Sequence, residues 1–179
     1  MSLPHALLTA LAERPGSGSE LAARFDKSIG FFWQATHQQI YRELARLEEA
    51  GFVESLPEES TRGRKRAYRI LPSGRKELKR WINQHDEPAA LRDELMVRLR
   101  AEAAVGPTGL DKQIERRLAV HQDKLALYRR IESRDFQGHE PKGREAELHH
   151  LVLKAGIRFE SHWIEFLAEA LEVLKRAVA

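Results

Sequence analysis

The first apolar residues of the chain, Leu3, Leu7, Leu8 and Leu11, recur at i, i+4, i+5 and i+8, which is one face of a helix. Arg14-Pro15-Gly16 stops it. Ser17 stands three residues before Glu20, the spelling of a capping box, and predicts a second helix from Ser19 to about Asp26 that buries Leu21 and Phe25. Ser28-Ile29-Gly30 reads as a turn. Phe31-Phe32-Trp33 reads as an aromatic plug, since such a cluster serves packing more often than it cages a ligand. A second capping box, Thr36 with Gln39, opens a third helix whose Ile40, Leu44 and Leu47 face inward. Ala50-Gly51 ends it, with glycine where the backbone turns left-handed.

The period then changes. Phe52–Leu56 and Ala67–Leu71 are short strand-like runs on either side of the polar, basic segment Pro57–Arg66, so they predict a hairpin with a long loop. Pro72 suits the first position of a fourth helix, Ser73 to about Gln84, burying Leu78, Trp81 and Ile82. Three short helices, a hairpin and a helix make the winged helix-turn-helix plan over residues 1–84, in which the third helix enters the DNA major groove and the hairpin loop is the wing.

His85-Asp86-Glu87-Pro88 reads as a linker, and no strand signal follows it. Ala89–Ala104 predicts a helix with Leu91, Leu95, Met96 and Leu99 on one side, broken by Gly106-Pro107. Leu110, Ile114, Leu118, His121, Leu125 and Tyr128 recur close to a coiled-coil seam. After a loop at Gln137–Gly143, the last helix runs from about Arg144 to Ala177. It carries Leu148, Val152, Ala155, Phe159, Trp163, Phe166, Ala170, Val173 and Ala177 at alternating steps of three and four. Leu151, Leu167, Leu171 and Leu174 widen that stripe beyond what the preceding helix can cover. Residues 85–179 are therefore expected to form a helical dimerisation domain, with Leu148, Val152, Phe159, Trp163 and Phe166 at the interface between two copies of the chain. The fold class is mainly α with a small β-hairpin.

Composition narrows the function. Among 179 residues there is no cysteine, which excludes disulfides, thiolate metal sites and cysteine nucleophiles. No apolar run approaches the roughly 18–20 residues of a membrane span, and Met1–His5 lacks the basic start of a signal peptide. A cytoplasmic protein with no membrane partner is expected. The net charge is only +3, but residues 62–80 hold nine cations and one anion, Glu77, so the rest of the chain is net acidic. That asymmetry points to a polyanion partner.

The candidate DNA-reading residues follow. Thr36, His37 and Gln38 open the third helix, and Gln pairs bidentately with adenine in the major groove. Tyr41 and Arg42, one turn on, reach phosphates. In the wing, Arg62, Arg64, Lys65 and Arg66 surround Gly63 and can straddle a phosphate backbone or enter a narrow minor groove. Glu145, His149, His150 and His162 suggest a metal set, but the H-E-x-x-H spelling is absent, and neither a metal nor a cofactor is expected. His121, on a seam, is expected to be a hydrogen-bonded interface residue. Gly16-Ser17-Gly18-Ser19 is neither a nucleophile elbow nor a P-loop, and no catalytic residues are expected.

The run Thr36-His37-Gln38-Gln39-Ile40-Tyr41-Arg42-Glu43-Leu44 through Ala50-Gly51-Phe52-Val53 resembles the recognition-helix signature of the PadR family of transcriptional regulators. Arg24–Ser28 with Phe32-Trp33, and Gly63–Ile70 with Gly74-Arg75, are similar to the same family in order and spacing. The helical second half resembles the branch with the large virulence-regulator-type C-terminal domain. The resemblance implies a bacterial repressor, a homodimer on a palindromic double-stranded operator. It also implies a small, in some members phenolic or other aromatic, effector held between the two domains. Leu71 stands where relatives commonly place a capping Thr, which implies a less firmly started fourth helix. The alternative is a winged-helix protein-interaction module without DNA binding, which need not keep four cations at the wing; a small-molecule or metal sensor is compatible with the first reading.

Overall fold

The computed structural model describes residues 3–27, 35–56, 66–87, 90, 92–136 and 143–176. The turn at Ser28-Ile29-Gly30, the Phe31-Phe32-Trp33 plug, Leu91, the loop at 137–142, Ala177 and the wing residues Arg62, Gly63, Arg64 and Lys65 lie outside the described residues. The chain packs as two compact units, Met1–Pro88 and Ala89–Ala179.

The first unit is built on α1 (Leu3–Glu13), α2 (Gly18–Lys27) and α3 (His37–Glu49), followed by β2 (Val53–Ser55), β3 (Ala67–Ile70) and α4 (Pro72–Ile82). Its core is sealed by Leu7, Leu8, Leu11, Leu21, Phe25, Ile40 and Leu44, each at most 1% exposed. Each such side chain contributes about 1.5–3 kcal/mol relative to remaining in water. Where the sequence predicts a two-stranded hairpin, the sheet has a third strand, β1 (Gly16–Ser17), and the order β1-β3-β2, all antiparallel. Gly16 faces Tyr68 and Ser17 faces Ala67. Two residues carry no alternation of their own, and only the distant partner makes them a strand.

The turn between α1 and β1 is held by a side chain from α2. The Arg24 guanidinium donates to the carbonyls of Ala10 (2.9 Å), Arg14 (2.7 Å) and Pro15 (2.8 Å). A cation thus meets the orphan carbonyls at the C-terminal end of α1, where the helix dipole favours it. The Ser17–Glu20 capping box forms as spelled: Ser17 N–H donates to Glu20 Oε2 (2.7 Å) and Glu20 N–H to Ser17 Oγ (3.2 Å). The Ser17 N–H, first, and the Ser17 hydroxyl (3.0 Å) both donate to Glu20 Oε2 and hold that carboxyl below its usual range. Gly51, at φ +70°, turns the chain from α3 into β2. Leu71 caps α4 with no side-chain hydrogen bond, as the departure from Thr implies.

Two residues predicted to be buried on α4 are not. Ile82 is 69% exposed in the last turn, and Trp81 lies half-exposed with one face stacked on His5 at 4.5 Å. His5 Nε2 lies 3.1 Å from Glu77 Oε1, and Arg80 binds the same carboxylate. The Arg80 and His5 hydrogen bonds, in that order, bring the Glu77 carboxyl down to about 2.

In the second unit, α5 (Glu94–Val105) starts later than predicted, because Asp93 is the cap. Its Oδ1 accepts from Leu95 N–H (2.9 Å), while Arg117 clamps both carboxylate oxygens (2.6 and 3.1 Å). Arg117, first, and the cap bond hold the Asp93 carboxyl low. The long helices α6 (Leu110–Asp135) and α7 (Arg144–Arg176) run antiparallel. Glu115 meets Lys175 (3.0 Å) near one end and Glu132 meets His150 (3.0 Å) near the other. Between them His121 Nδ1 pairs with Glu160, both buried. The His121 ring stacks on Trp163 (5.6 Å), and the Arg117 guanidinium lies 4.3 Å from that indole.

Removing one member of the buried pair leaves the other polar group without its hydrogen-bond partner. Glu160→Ala is expected to cost about 1–3 kcal/mol, whereas the joint change His121→Leu with Glu160→Leu costs far less or is neutral. Urea unfolding followed by circular dichroism checks both.

Candidate nucleic-acid interface

Helix α3 is fixed from behind by Ile40, Leu44 and Leu47, so its opposite face must look outward. Thr36 Oγ1 accepts from Gln39 N–H (3.2 Å) and Gln39 Oε1 accepts from Thr36 N–H (2.8 Å). The capping box therefore occupies one of the two opening glutamines. Gln38, Tyr41, Arg42 and Ala45 lie at i, i+3, i+4 and i+7 and are all exposed, and Thr36 and His37 are exposed at the helix start. The structure thus brings Thr36, His37, Gln38, Tyr41 and Arg42 together on one accessible end and flank of one helix.

Of the predicted wing cations, Arg66 is the described one. It ion-pairs with Glu48 (3.2 Å) and lies 5.9 Å from the Tyr68 ring. Glu48 also accepts from Ser55 N–H (3.0 Å), so a single carboxylate joins the end of α3, the end of β2 and the root of the wing. Arg69 pairs with Glu54 directly across the sheet, and Arg80 with Glu77. The raw charge of residues 62–80 therefore overstates the field they project. Sequence reasoning missed these partners because Glu48 and Glu54 lie upstream of the basic segment.

The predicted dimerisation residues separate into two sets. Trp163 is buried and Phe166 partly buried in the core of their own unit, with Leu95, Ile114 and Leu167. Leu148, Val152 (50% exposed) and Phe159 (57% exposed) stay on the open side of α7. The intramolecular seam is a neighbouring stripe, Glu160, Trp163, Leu167, Ala170 and Leu171. A half-open cleft of about 220 Å³ lies between α5 and α6, floored by Leu95, Leu110 and Ile114, with Arg98 and Arg117 at its rim. Both arginines already face carboxylates, Glu94 and Asp93. Among the described residues no helix is long and apolar enough to cross a membrane, and no cluster of three or more metal-ligating side chains occurs.

Comparison with known proteins decides the family. Residues 7–80 match the model of the transcriptional regulator PadR-like family, and residues 91–175 that of the virulence activator alpha C-terminal domain. The probable transcriptional regulator Rv1176c of Mycobacterium tuberculosis is 41% identical, with 98% of both chains covered. The chain belongs to the PadR-like family. Its PadR-like fold is similar to that of the Vibrio cholerae virulence activator AphA, with TM-score 0.83, 30% identity, and 98% of this chain and 99% of that chain covered. PadR of Bacillus subtilis, named a negative transcriptional regulator, has been solved in complex with operator DNA (TM-score 0.82, 26% identity, 96% and 97% covered). It has also been solved with p-coumaric acid (TM-score 0.76, 26% identity, 97% and 95% covered). This PadR-like chain is a transcriptional regulator and not an enzyme.

In this regulator Thr36→Ala removes the cap that starts the exposed helix. It is expected to cost about 1 kcal/mol, read as a lower urea midpoint with an unchanged slope.

Proposed function

We propose that this PadR-type regulator is a dimeric repressor that binds a palindromic double-stranded operator and is released by a small, aromatic effector. The observation that carries the reading is the open face of α3. Gln38, Tyr41 and Arg42 stand together there, on a helix whose other side is locked into the core. Gln38, with His37 and Thr36, is the group for base edges; Tyr41, Arg42 and the wing residues Arg62, Arg64, Lys65 and Arg66 meet phosphates. The operator complex of PadR supports the DNA partner, the name of that relative supports repression, and its p-coumaric acid complex supports an aromatic acid as the class of effector. The DNA-binding part is residues 1–84 and the dimerisation part residues 85–179.

Two copies of the chain are expected to pair through the stripe of α7 that its own unit leaves open, Leu148, Val152 and Phe159. Half-sites one helical turn apart then match the twofold symmetry of the protein.

If a dimer neutralises about 6–10 phosphates, affinity for a fragment of its own promoter falls by roughly 10³–10⁵ between about 50 and 200 mM salt. Fluorescence anisotropy measures this. Arg64→Ala, Lys65→Ala and Arg66→Ala together are expected to abolish the binding; under the interaction-module reading the wild type itself ignores the fragment and the triple variant keeps its protein partner. Val152→Arg with Phe159→Arg is expected to yield a folded monomer in sedimentation velocity, with operator affinity lost alongside.

A further inference from the structure

Gly18 is the first residue of α2, and its φ is not positive; the positive-φ glycines among the described residues are Gly51, Gly106, Gly109 and Gly143. Its backbone conformation is therefore open to any residue, and helix propensity at that place favours alanine over glycine. The reason for glycine is spatial. A Cβ built on Gly18 would stand 2.2 Å from Cε1, 2.8 Å from Cδ1 and 3.0 Å from Cζ of Tyr41. All three of its nearest neighbours belong to that one ring. No real Cβ survives at such distances, so the Tyr41 ring occupies the space that a side chain at position 18 would take.

Tyr41 is otherwise 48% exposed. One side of the ring is seated on the first turn of α2 and the other is open, with the hydroxyl carried on the Cζ edge. Tyr41 shares its flank of α3 with Gln38 and Arg42. A free tyrosine on a helix surface samples several rotamers and loses them on binding; a ring already seated in a slot has lost them in advance.

We infer that Gly18 is a positioning residue for DNA binding: the missing side chain forms a slot on α2 that seats the Tyr41 ring and aims its hydroxyl outward beside Gln38 and Arg42. The inference rests on the reading of α3 as the DNA-contacting helix and adds a residue on a different helix, itself outside the predicted contact set. The hydroxyl donates to a phosphate oxygen, and seating it beforehand lowers the dissociation rate without adding a contact. Gly18→Ala evicts the ring. Because the ring is half-exposed it can swing into solvent, so the variant folds.

The test is a four-protein cycle of the full chain: wild type, Gly18→Ala, Tyr41→Ala and the double variant. Each is titrated against a fragment of the protein's own promoter at low salt. Gly18→Ala is expected to weaken binding about tenfold, the scale of one hydrogen bond to a charged oxygen. In the Tyr41→Ala background the same change is expected to alter binding less than about twofold. There it raises the unfolding midpoint, because alanine replaces glycine in a helix with nothing left to evict. A purely structural glycine would give the opposite pattern, with affinity and stability moving together in both backgrounds. Additive losses, or an unaffected Gly18→Ala, overturn the inference. A nuclear Overhauser contact between the Gly18 α protons and the Tyr41 ring, lost in Gly18→Ala, judges the slot without DNA. Wild-type protein that shows this contact yet ignores every promoter fragment overturns the DNA-binding reading and with it the role of Gly18, while the slot stands. An absent contact overturns the slot itself.

Discussion

The burial of Ile40, Leu44 and Leu47 is the constraint on which the first unit depends. These three side chains anchor α3 to the core that α1 and α2 share, and anchoring one face of a helix decides what the other face presents. Everything around α3 serves that orientation. The Thr36–Gln39 box sets where the helix starts, Gly51 sets where the chain leaves it, and Glu48 ties its last turn to the sheet and to Arg66. Arg24 does the same at one remove, because it fixes the turn from α1 into the short strand β1.

The second unit is organised differently. Its core is apolar at one end, around Ile114, Trp163 and Leu167, and polar in the middle, where His121 and Glu160 are buried side by side. Trp163 joins the two regions: one ring partner is His121, another is the Arg117 guanidinium, which in turn holds Asp93 at the head of α5. Helix α7 thus carries two adjacent stripes, one packed within its own unit and one left exposed among the described residues. A single heptad pattern describes both, which is why Trp163 and Phe166 read in the sequence as partners of Leu148 and Val152.

The elements with local causes were legible from the chain. Both capping boxes, the left-handed Gly51 and the proline at the head of α4 depend on residues within a turn of one another, and the seam through Leu110, Ile114 and Tyr128 depends on spacing along a single helix. What escaped depends on distant partners. Strand β1 exists only because β3 lies beside it. Ile82 carries an apolar side chain but stays largely exposed, since α4 ends there. Glu160 looks like one more solvated charge on a long helix until His121 is placed opposite it. Gly18 looks like loop punctuation until the Tyr41 ring is set against it. The exposed flank of α3 was legible to the residue, whereas the occupied state of Arg66 was not, because Glu48 acts on it across 18 positions.

The side-chain pairs along α6 and α7 have a mechanical consequence. An axial slip of one helix past the other by a single turn, about 5.4 Å, would part Glu115 from Lys175, His121 from Glu160 and Glu132 from His150 at the same moment. Intermediate offsets would leave a buried carboxylate and imidazole facing aliphatic walls. The hairpin is therefore keyed to one alignment, like a ratchet with a single tooth engaged. Force applied to either helix travels as displacement of a stiff rod and is not absorbed as sliding.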